Sequence, residues 1–321
     1  MNFQYLTKVH SANELLDIVF RHVTKEVTKL KPSLHGDRLV RTRAADVRRL
    51  QLIEQNLYGN LQGIVTMFPQ LDELHAFYRE LIAITLDYGQ IKQSLGAMVW
   101  AMREVKDLTG RYTLLIRRCG DMQAISRYRK EFYGRISSVI KQVKRDLAYL
   151  EVARRMMKNY PTIKTGITTV CIFGFPNVGK STLLSKLTTA KPEIKPYAFT
   201  TKQLNIGYLQ EAHRKIQIID TPGTLDRFEG MNEIEQQAFL ALKHCADLVI
   251  YVYDLTESSA PLEDQKRLYQ TITKLGKEVV IYLSKIDQLG EERLKSFVKP
   301  GMVSDIEELR QLLLKKAIFT E

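Results

Sequence analysis

Gly174-Phe175-Pro176-Asn177-Val178-Gly179-Lys180-Ser181-Thr182 is the stretch that decides the fold. An apolar run, Thr168 to Phe173, precedes it and a helical pattern from Gly179 to Thr189 follows, so the glycines fall at a strand-to-helix turn. That context predicts a phosphate-binding loop. Gly174 and Gly179 let the backbone curl without Cβ clashes, so successive N–H groups converge on anionic oxygens and the helix N-terminus adds its partial positive charge. Lys180 is placed to reach the β- and γ-phosphates of a nucleoside triphosphate. The Ser181 hydroxyl is placed to bind Mg²⁺, a hard ion that takes oxygen ligands.

Downstream of the loop, Tyr197-Ala-Phe-Thr-Thr201 lies between the loop's helix and an expected strand, Gln203 to Leu209. Thr201, with Thr200 beside it, is expected to complete the Mg²⁺ shell and to sense the γ-phosphate. An apolar strand, Lys215 to Ile219, ends in Asp220-Thr-Pro-Gly223. Asp220 would hold Mg²⁺ through water, and Gly223 would offer a backbone N–H to the γ-phosphate and act as a hinge. The polar segment from Thr224 to Asn232 would then move with the nucleotide.

Two further strands, Asp247 to Tyr253 and Glu278 to Leu283, alternate with helical patterns at Glu233 to Cys245 and Leu262 to Leu275. Continuous Val/Ile runs in that alternation predict a mainly parallel sheet covered on both faces. The last of these strands ends in Ser284-Lys285-Ile286-Asp287. An Asp carboxylate there accepts two N–H bonds from guanine while the Lys stem covers the base, so GTP is expected over ATP.

The 321 residues suit two domains, and the charge divides between them unevenly. Residues 1–165 carry 28 Lys and Arg against 16 Asp and Glu, while residues 166–321 carry 20 of each. The whole excess of +12 is therefore in the first half. An anionic polymer, most often nucleic acid, is one partner that such asymmetry implies; a solvated helix surface carries the same charge. No apolar run is long enough to span a bilayer, and Met1 to His10 lacks the apolar middle of a secretory signal, so the expectation is a cytoplasmic protein without a membrane partner. Cys119, Cys171 and Cys245 are far apart and suggest small buried thiols, not a disulfide framework or a metal cluster.

The first half reads as helices almost throughout. Ser11 with Glu14 fits a capping box, starting a helix that ends before Pro32. Leu50, Ile53, Leu57, Leu61 and Ile64 make one stripe of a second helix, from Thr42 to about Met67. A third stretch, Leu71 to Asp87, continues after a short interruption towards Val105, and Thr109-Gly110 and Cys119-Gly120 read as loops. Met122, Ile125, Phe132, Ile136, Ile140, Val143, Leu147 and Leu150 predict one long helix from Asp121 to Asn159, and hence an antiparallel bundle. Basic residues crowd the other faces, among them Arg127, Arg129, Arg135, Lys144, Arg145 and Arg154, with a second cluster at Arg38, Arg41, Arg43, Arg48 and Arg49. Facing one way, they would form a groove for phosphates with Tyr128 and Tyr133 as stacking groups; at helical spacing the same tyrosines serve a core.

The set Gly174 to Ser181, Thr201, Asp220 to Gly223 and Ser284 to Asp287 resembles a Ras-like GTPase domain. Gly-Phe-Pro-Asn-Val-Gly-Lys-Ser, Tyr-Ala-Phe-Thr-Thr and Asp-Thr-Pro-Gly-x-Leu-Asp-Arg resemble more narrowly the Obg-related GTPases. The basic helical half, including Tyr133-Gly-Arg-Ile-Ser137, is similar to the Nog family, the nucleolar GTP-binding proteins and their shorter archaeal counterparts. The archaeal form, without a long basic tail, is the one resembled.

The resemblance implies an N-terminal antiparallel helical bundle, residues 1–165, followed by a Ras-like P-loop GTPase domain, residues 166–321, with a mostly parallel sheet. It implies a GTPase of low intrinsic rate acting in assembly of the large ribosomal subunit, the bundle engaging rRNA and assembly proteins. GTP or GDP with Mg²⁺ would be held by Gly174, Phe175, Pro176, Asn177, Val178, Gly179, Lys180, Ser181, Thr182, Ser284, Lys285 and Asp287, the ion by Ser181, Thr201 and Asp220. Lys180, Thr201 and Gly223 would serve catalysis. Asn177 resembles a loop Asn that binds K⁺ in related GTPases, and a loop-stabilising amide is the other reading.

The sequence departs from the family pattern in places. Thr224 stands where many Ras-like proteins have a water-orienting Gln, and Arg227 is either an arginine finger or a surface residue. Ser284 replaces an Asn whose side chain would tie the base-binding strand to the phosphate loop, and Lys299 to Asp305, with Ser304, occupies the place of the final base-contact loop. A non-enzymatic RNA-binding scaffold with a degenerate nucleotide site is therefore the alternative. A tRNA-modifying GTPase lacks its catalytic Cys or cofactor site here, and a membrane switch lacks a lipidation motif.

Overall fold

The computed structural model of the chain describes residues 2–30, 35–164, 166–188, 193–196, 203–211, 214–221, 233–257, 259–290 and 297–316. Its contacts divide it into two compact units: one built from Gln4–Leu71 and Leu86–Lys158, the other from Met1–Phe3, Asp72–Thr85 and Asn159–Glu321.

The first unit is helical. Helix α1 (Ala12–Leu30) opens with the expected capping box: Ser11 N–H donates to Glu14 Oε2 at 2.9 Å and Glu14 N–H to Ser11 Oγ at 3.3 Å. Helix α2 (Arg38–Met67) starts four residues before Thr42, because Asp37 caps it by accepting Val40 N–H at 2.7 Å. Its stripe Leu50, Ile53, Leu57, Leu61 and Ile64 is buried, as the spacing required.

A short 3-10 turn, Leu71–Glu73, and helix α3 (Ala76–Thr85) make up the third stretch, Leu71 to Asp87. Asp87 then caps helix α4 (Tyr88–Arg118), so the expected interruption falls at a strong N-cap. Helix α4 runs straight through Thr109-Gly110, which was expected to be a loop. Thr109 is buried with its hydroxyl returned to Val105 O at 2.9 Å, and Gly110 faces open space, so the packed helix carries the weak glycine.

Helix α5 (Met122–Gln142) and helix α6 (Lys144–Lys158) correct the single long helix. Val143 leaves helical geometry, with φ −89° and ψ 15°, yet it stays buried. Two helices end to end keep the same apolar stripe, so spacing alone does not reveal the break. Helices α4 and α5 pack on each other across a connection of only a few residues and so run antiparallel. Helix α2 packs on both α1 and α4.

The second unit holds a seven-stranded sheet: β1 (Thr169–Phe173), β2 (Glu193–Pro196), β3 (Gln203–Glu211), β4 (Arg214–Asp220), β5 (Leu248–Asp254), β6 (Glu278–Ser284) and β7 (Met302–Val303), in the order β2-β3-β4-β1-β5-β6-β7. Strands β4, β1, β5, β6 and β7 are mutually parallel, and β2 and β3 form the antiparallel edge. Every residue of β1 and β5 is buried, which is why these strands read as unbroken apolar runs. Helices α7 (Lys180–Leu187), α8 (Glu233–Cys245), α9 (Leu262–Thr273) and α10 (Ile306–Lys316) complete the alternation.

Helix α3 belongs to this unit and packs on α8. Phe77, Tyr78, Leu81 and Ile82 are its buried face, and the Tyr78 hydroxyl accepts Ile163 N–H at 3.0 Å. The three cysteines are free thiols, with Cys171 buried in β1. No helix among the described residues is long and apolar enough to cross a membrane.

Candidate functional site

The register of the sheet gathers the site. Parallel pairing aligns Ile172 with Asp220 and Asp254 with Ser284, so β4, β1, β5 and β6 bring Asp220, the phosphate loop, Asp254 and Ser284 to one edge. In an open parallel sheet that carboxyl edge is where ligands bind.

The loop after β1 is specified sterically. Gly174 has φ +148°, and a Cβ there would stand 2.6 Å from Val252 O and 3.0 Å from Val178 Cγ2, so only glycine fits. Asn177 and Gly179 take left-handed φ values of 64° and 94°. Alternating left- and right-handed residues turn backbone N–H groups into one concavity, the geometry of an anion nest. Phe175 and Val178 are buried and anchor the loop, while Pro176 and Asn177 are exposed. Gly179 is the N-cap of α7, and Lys180, Ser181 and Thr182 form its first turn.

Lys180 is only 7% exposed, and its Nζ donates to Phe175 O at 2.6 Å. Burial lowers its pKa to about 8, with the Asp220 carboxylate pulling the other way. Ser181 Oγ donates to Asp220 Oδ2 at 2.5 Å, and Asn205 Nδ2 donates to the same oxygen at 3.1 Å. Burial raises the Asp220 pKa, opposed by Ser181, Asn205 and Lys180 in that order. The other oxygen, Asp220 Oδ1, is buried without a hydrogen-bond partner among the described residues. A buried carboxylate oxygen left over beside a serine hydroxyl is what an oxygen-seeking divalent cation and its waters would satisfy, so the donor set fits Mg²⁺. Thr221, next in line, is fixed by donating Oγ1–H to Ile172 O at 2.7 Å.

At the end of β6, Ser284 Oγ donates to Tyr253 O at 3.0 Å and so ties β6 to β5. A Cβ on Gly179 would lie 3.9 Å from the Ser284 Cβ, so this strand end abuts the phosphate loop although its hydroxyl turns elsewhere. Lys285 adopts φ +52° and its Nζ sits 2.6 Å from Asp254 Oδ2, a carboxylate with no exposed side-chain surface. Asp254 Oδ1 also accepts Thr256 N–H at 2.9 Å and Thr256 Oγ1–H at 2.7 Å. Asp287 is exposed in the 3-10 turn Ile286–Gln288. Thr200, Thr201, Gly223, Thr224 and Arg227 lie outside the described residues. Strand β7 and Ser304 come from the Lys299 to Asp305 stretch, on the far side of β6, where Asp305 Oδ1 caps α10 through Glu308 N–H at 2.8 Å.

Sequence reasoning passed over three contributors. Asp254 carries the signal that identified Asp220, an acid ending an apolar strand. Gln265, 1% exposed, donates to Asp254 O at 2.8 Å and accepts its N–H at 3.1 Å, fixing that strand end from α9. Neither Gln265 nor Asn205 has a local sequence signal, because each matters only through a partner distant in the chain.

In the helical unit part of the basic surplus is paired internally. Glu151 binds both Arg154 and Arg155, Asp46 binds Arg49 and Arg129, and Arg43 donates to Cys119 O at 2.7 Å. Tyr133 packs on Phe20 with ring centroids 4.6 Å apart, as a core residue would, and Arg127 lies over the Tyr128 ring.

Residues 3–164 match the family model described as NOG1 N-terminal helical domain, and residues 169–285 that described as 50S ribosome-binding GTPase. The chain is 39% identical over 260 residues to the uncharacterized protein MJ1408 of Methanocaldococcus jannaschii, covering 80% of this chain and 73% of that one. It is 35% identical to Nucleolar GTP-binding protein 1 of Drosophila melanogaster over 91% of this chain and 45% of that one. The protein of the same name from Saccharomyces cerevisiae is 31% identical, over 92% and 46% respectively. The chain thus spans about half the length of the nucleolar relatives it matches. A solved structure, the G domain of the T. maritima FeoB iron transporter, is 28% identical over 46% of this chain and 97% of that one, with a TM-score of 0.38.

Proposed function

The chain belongs to the NOG1 family and carries its GTPase domain, and from that premise we propose that it binds and hydrolyses GTP as an assembly factor of the large ribosomal subunit. One observation carries the nucleotide reading: the glycine-specified loop, Lys180, Ser181 and Asp220 meet at the carboxyl edge of the parallel strands, and Asp287 follows the end of β6. The loop's N–H groups and Lys180 hold the β- and γ-phosphates, Ser181 and Asp220 hold Mg²⁺, and Asp287 takes the guanine edge. When bound there, Mg²⁺ would supply neutralisation of the charge that develops on the phosphates.

Thr201 and the Gly223 N–H, as members of the two nucleotide-sensing segments, would order on the γ-phosphate and release after water attacks it. Thr224 at the Gln position gives a low intrinsic rate, raised by K⁺ at Asn177 or by the ribosomal partner. The basic surplus of residues 1–165 supports engagement of rRNA by the helical unit. Affinity for large-subunit precursors measured without nucleotide, with GDP and with a non-hydrolysable GTP analogue tests the coupling. Equal affinity in all three states sinks it.

A non-enzymatic RNA-binding scaffold is favoured by one feature, the Ser284 hydroxyl bound to Tyr253 O instead of serving the phosphate loop. Turnover with purified large subunits and K⁺ separates the readings, since the scaffold predicts no phosphate release above background.

A further inference from the structure

Arg38, Arg41 and Arg49 of α2 and Arg129 of α5 line, with Thr42 and Asp46, a cavity of about 270 Å³. On α2 these residues recur every three or four positions and so share one face. Asp46 is 1% exposed and binds two of the four arginines. Arg129 Nη1 lies 3.2 Å and 3.0 Å from its two oxygens, and Arg129 Nη2 donates to Ser126 Oγ at 3.2 Å. Two guanidiniums are thereby locked in place before any ligand arrives. Arg38 and Arg41 are exposed and have no acidic partner among the described residues.

A structural ion pair needs one arginine for one carboxylate. Here four guanidiniums face one carboxylate, leaving a formal +3 around a shared cavity, and that repulsion is relieved by an anion with several acceptor oxygens. The cavity is smaller and more charged than the apolar clefts that hold cofactors. Arginine forks match phosphate oxygens two at a time. We propose that this cavity is a phosphodiester-binding site at which the helical unit grips the backbone of rRNA. The proposal rests on the reading that this unit engages rRNA, and names the place and chemistry of the grip. RNA is favoured over a phosphorylated protein because the +12 surplus of residues 1–165 extends far beyond the cavity, as a polymer needs.

The test uses the full chain saturated with Mg²⁺ and GDP, so that the phosphate loop is filled. Binding of a large-subunit rRNA transcript is measured across a salt series for the wild type, Arg38→Ala/Arg41→Ala, and Lys144→Ala/Arg145→Ala as a control with the same charge change on α6. The expected result is a loss of roughly tenfold to a hundredfold for the cavity variant and a log–log salt slope shallower by about 1.5. The control should lose much less. Arg38→Lys/Arg41→Lys should recover the slope but only part of the affinity, because it keeps charge and loses the fork. Both arginines are exposed, and unchanged thermal denaturation will show that the variants fold.

Equal losses in cavity and control variants, with the wild type binding in a salt-dependent way, overturn the cavity and leave rRNA engagement standing. A wild type without salt-dependent binding overturns both. A defect confined to a phosphoserine peptide, with RNA affinity intact, overturns the proposal as well.

Discussion

Ser181 Oγ lies 2.5 Å from Asp220 Oδ2, so the two side chains assigned to one cation are already joined, from a helix N-terminus and a strand C-terminus. The side chains that would hold the cation are therefore preorganised: Ser181 would bind it and Asp220 would hold it through water, from elements already in place. Ser181→Ala should weaken GTP binding in the presence of Mg²⁺ by about 10- to 100-fold, the worth of a bond to a charged group. The same variant should change affinity little in a chelator. A Mg²⁺ titration at fixed nucleotide checks this, and equal losses with and without the ion would remove Ser181 from the metal site.

Lys180 gives a pH dependence of defined sign. In the nucleotide-free protein burial holds its pKa at about 8, against 10.5 for an exposed lysine. Between these values the unfolded chain holds a proton that the folded chain lacks, so stability of the free protein should rise with pH through that window. Phosphates restore the ammonium. Nucleotide binding at pH 8 should therefore take up about half a proton, and affinity should fall as the pH rises further. Calorimetry in two buffers of different ionisation enthalpy measures the uptake, and Lys180→Met should abolish it.

Two glycines should respond oppositely to the same substitution. Gly174→Ala places a Cβ 2.6 Å from Val252 O at a positive φ, and should cost about 2–5 kcal/mol together with nucleotide binding. Gly110→Ala, exposed inside α4 with nothing within 4 Å, should add about 0.5–1 kcal/mol. Denaturant unfolding reads both, and a destabilised Gly110→Ala would mean that the helix is not regular there.

Base selectivity should move in both directions at the end of β6. Asp287→Asn should reduce the preference for GDP over ADP by about 10- to 100-fold, because the guanine N–H pair loses its acceptor. Ser284→Asn should tighten GDP binding several-fold, since this position abuts Gly179 and a longer amide can cross to the loop. Competition calorimetry with the two diphosphates decides; unchanged GDP affinity in Ser284→Asn would show that the serine costs nothing.

The legible parts of the chain were those in which local chemistry and tertiary structure agree. The phosphate loop, the apolar strands β1, β4, β5 and β6, and the stripes of α1 and α2 could be read because a glycine, a capping box or an apolar period occurs where the fold needs it. Thr109-Gly110 misled because packing carries a weak glycine inside α4, and Val143 because a break that keeps the apolar phase leaves no trace in spacing. Strands β2 and β7 are short edge pieces without a period of their own. At the site, Lys180, Ser181 and Asp220 were readable from motif order, whereas Asn205 and Gln265 act through partners that only the sheet brings near.

Helix α3 carries a consequence for synthesis. It packs on α8, and Glu80 meets Lys243, 163 residues further along the chain. At the ribosome's pace of 5–20 residues per second, its apolar face of Phe77, Tyr78, Leu81 and Ile82 waits roughly 10–30 s for that partner. During that interval the nascent chain displays an apolar helix face between the two segments that together build the helical unit, an exposed surface of the kind chaperones bind. A gene cut at the sequence boundary near residue 165 would leave the same helix permanently waiting, and its sheet unit permanently short of a wall.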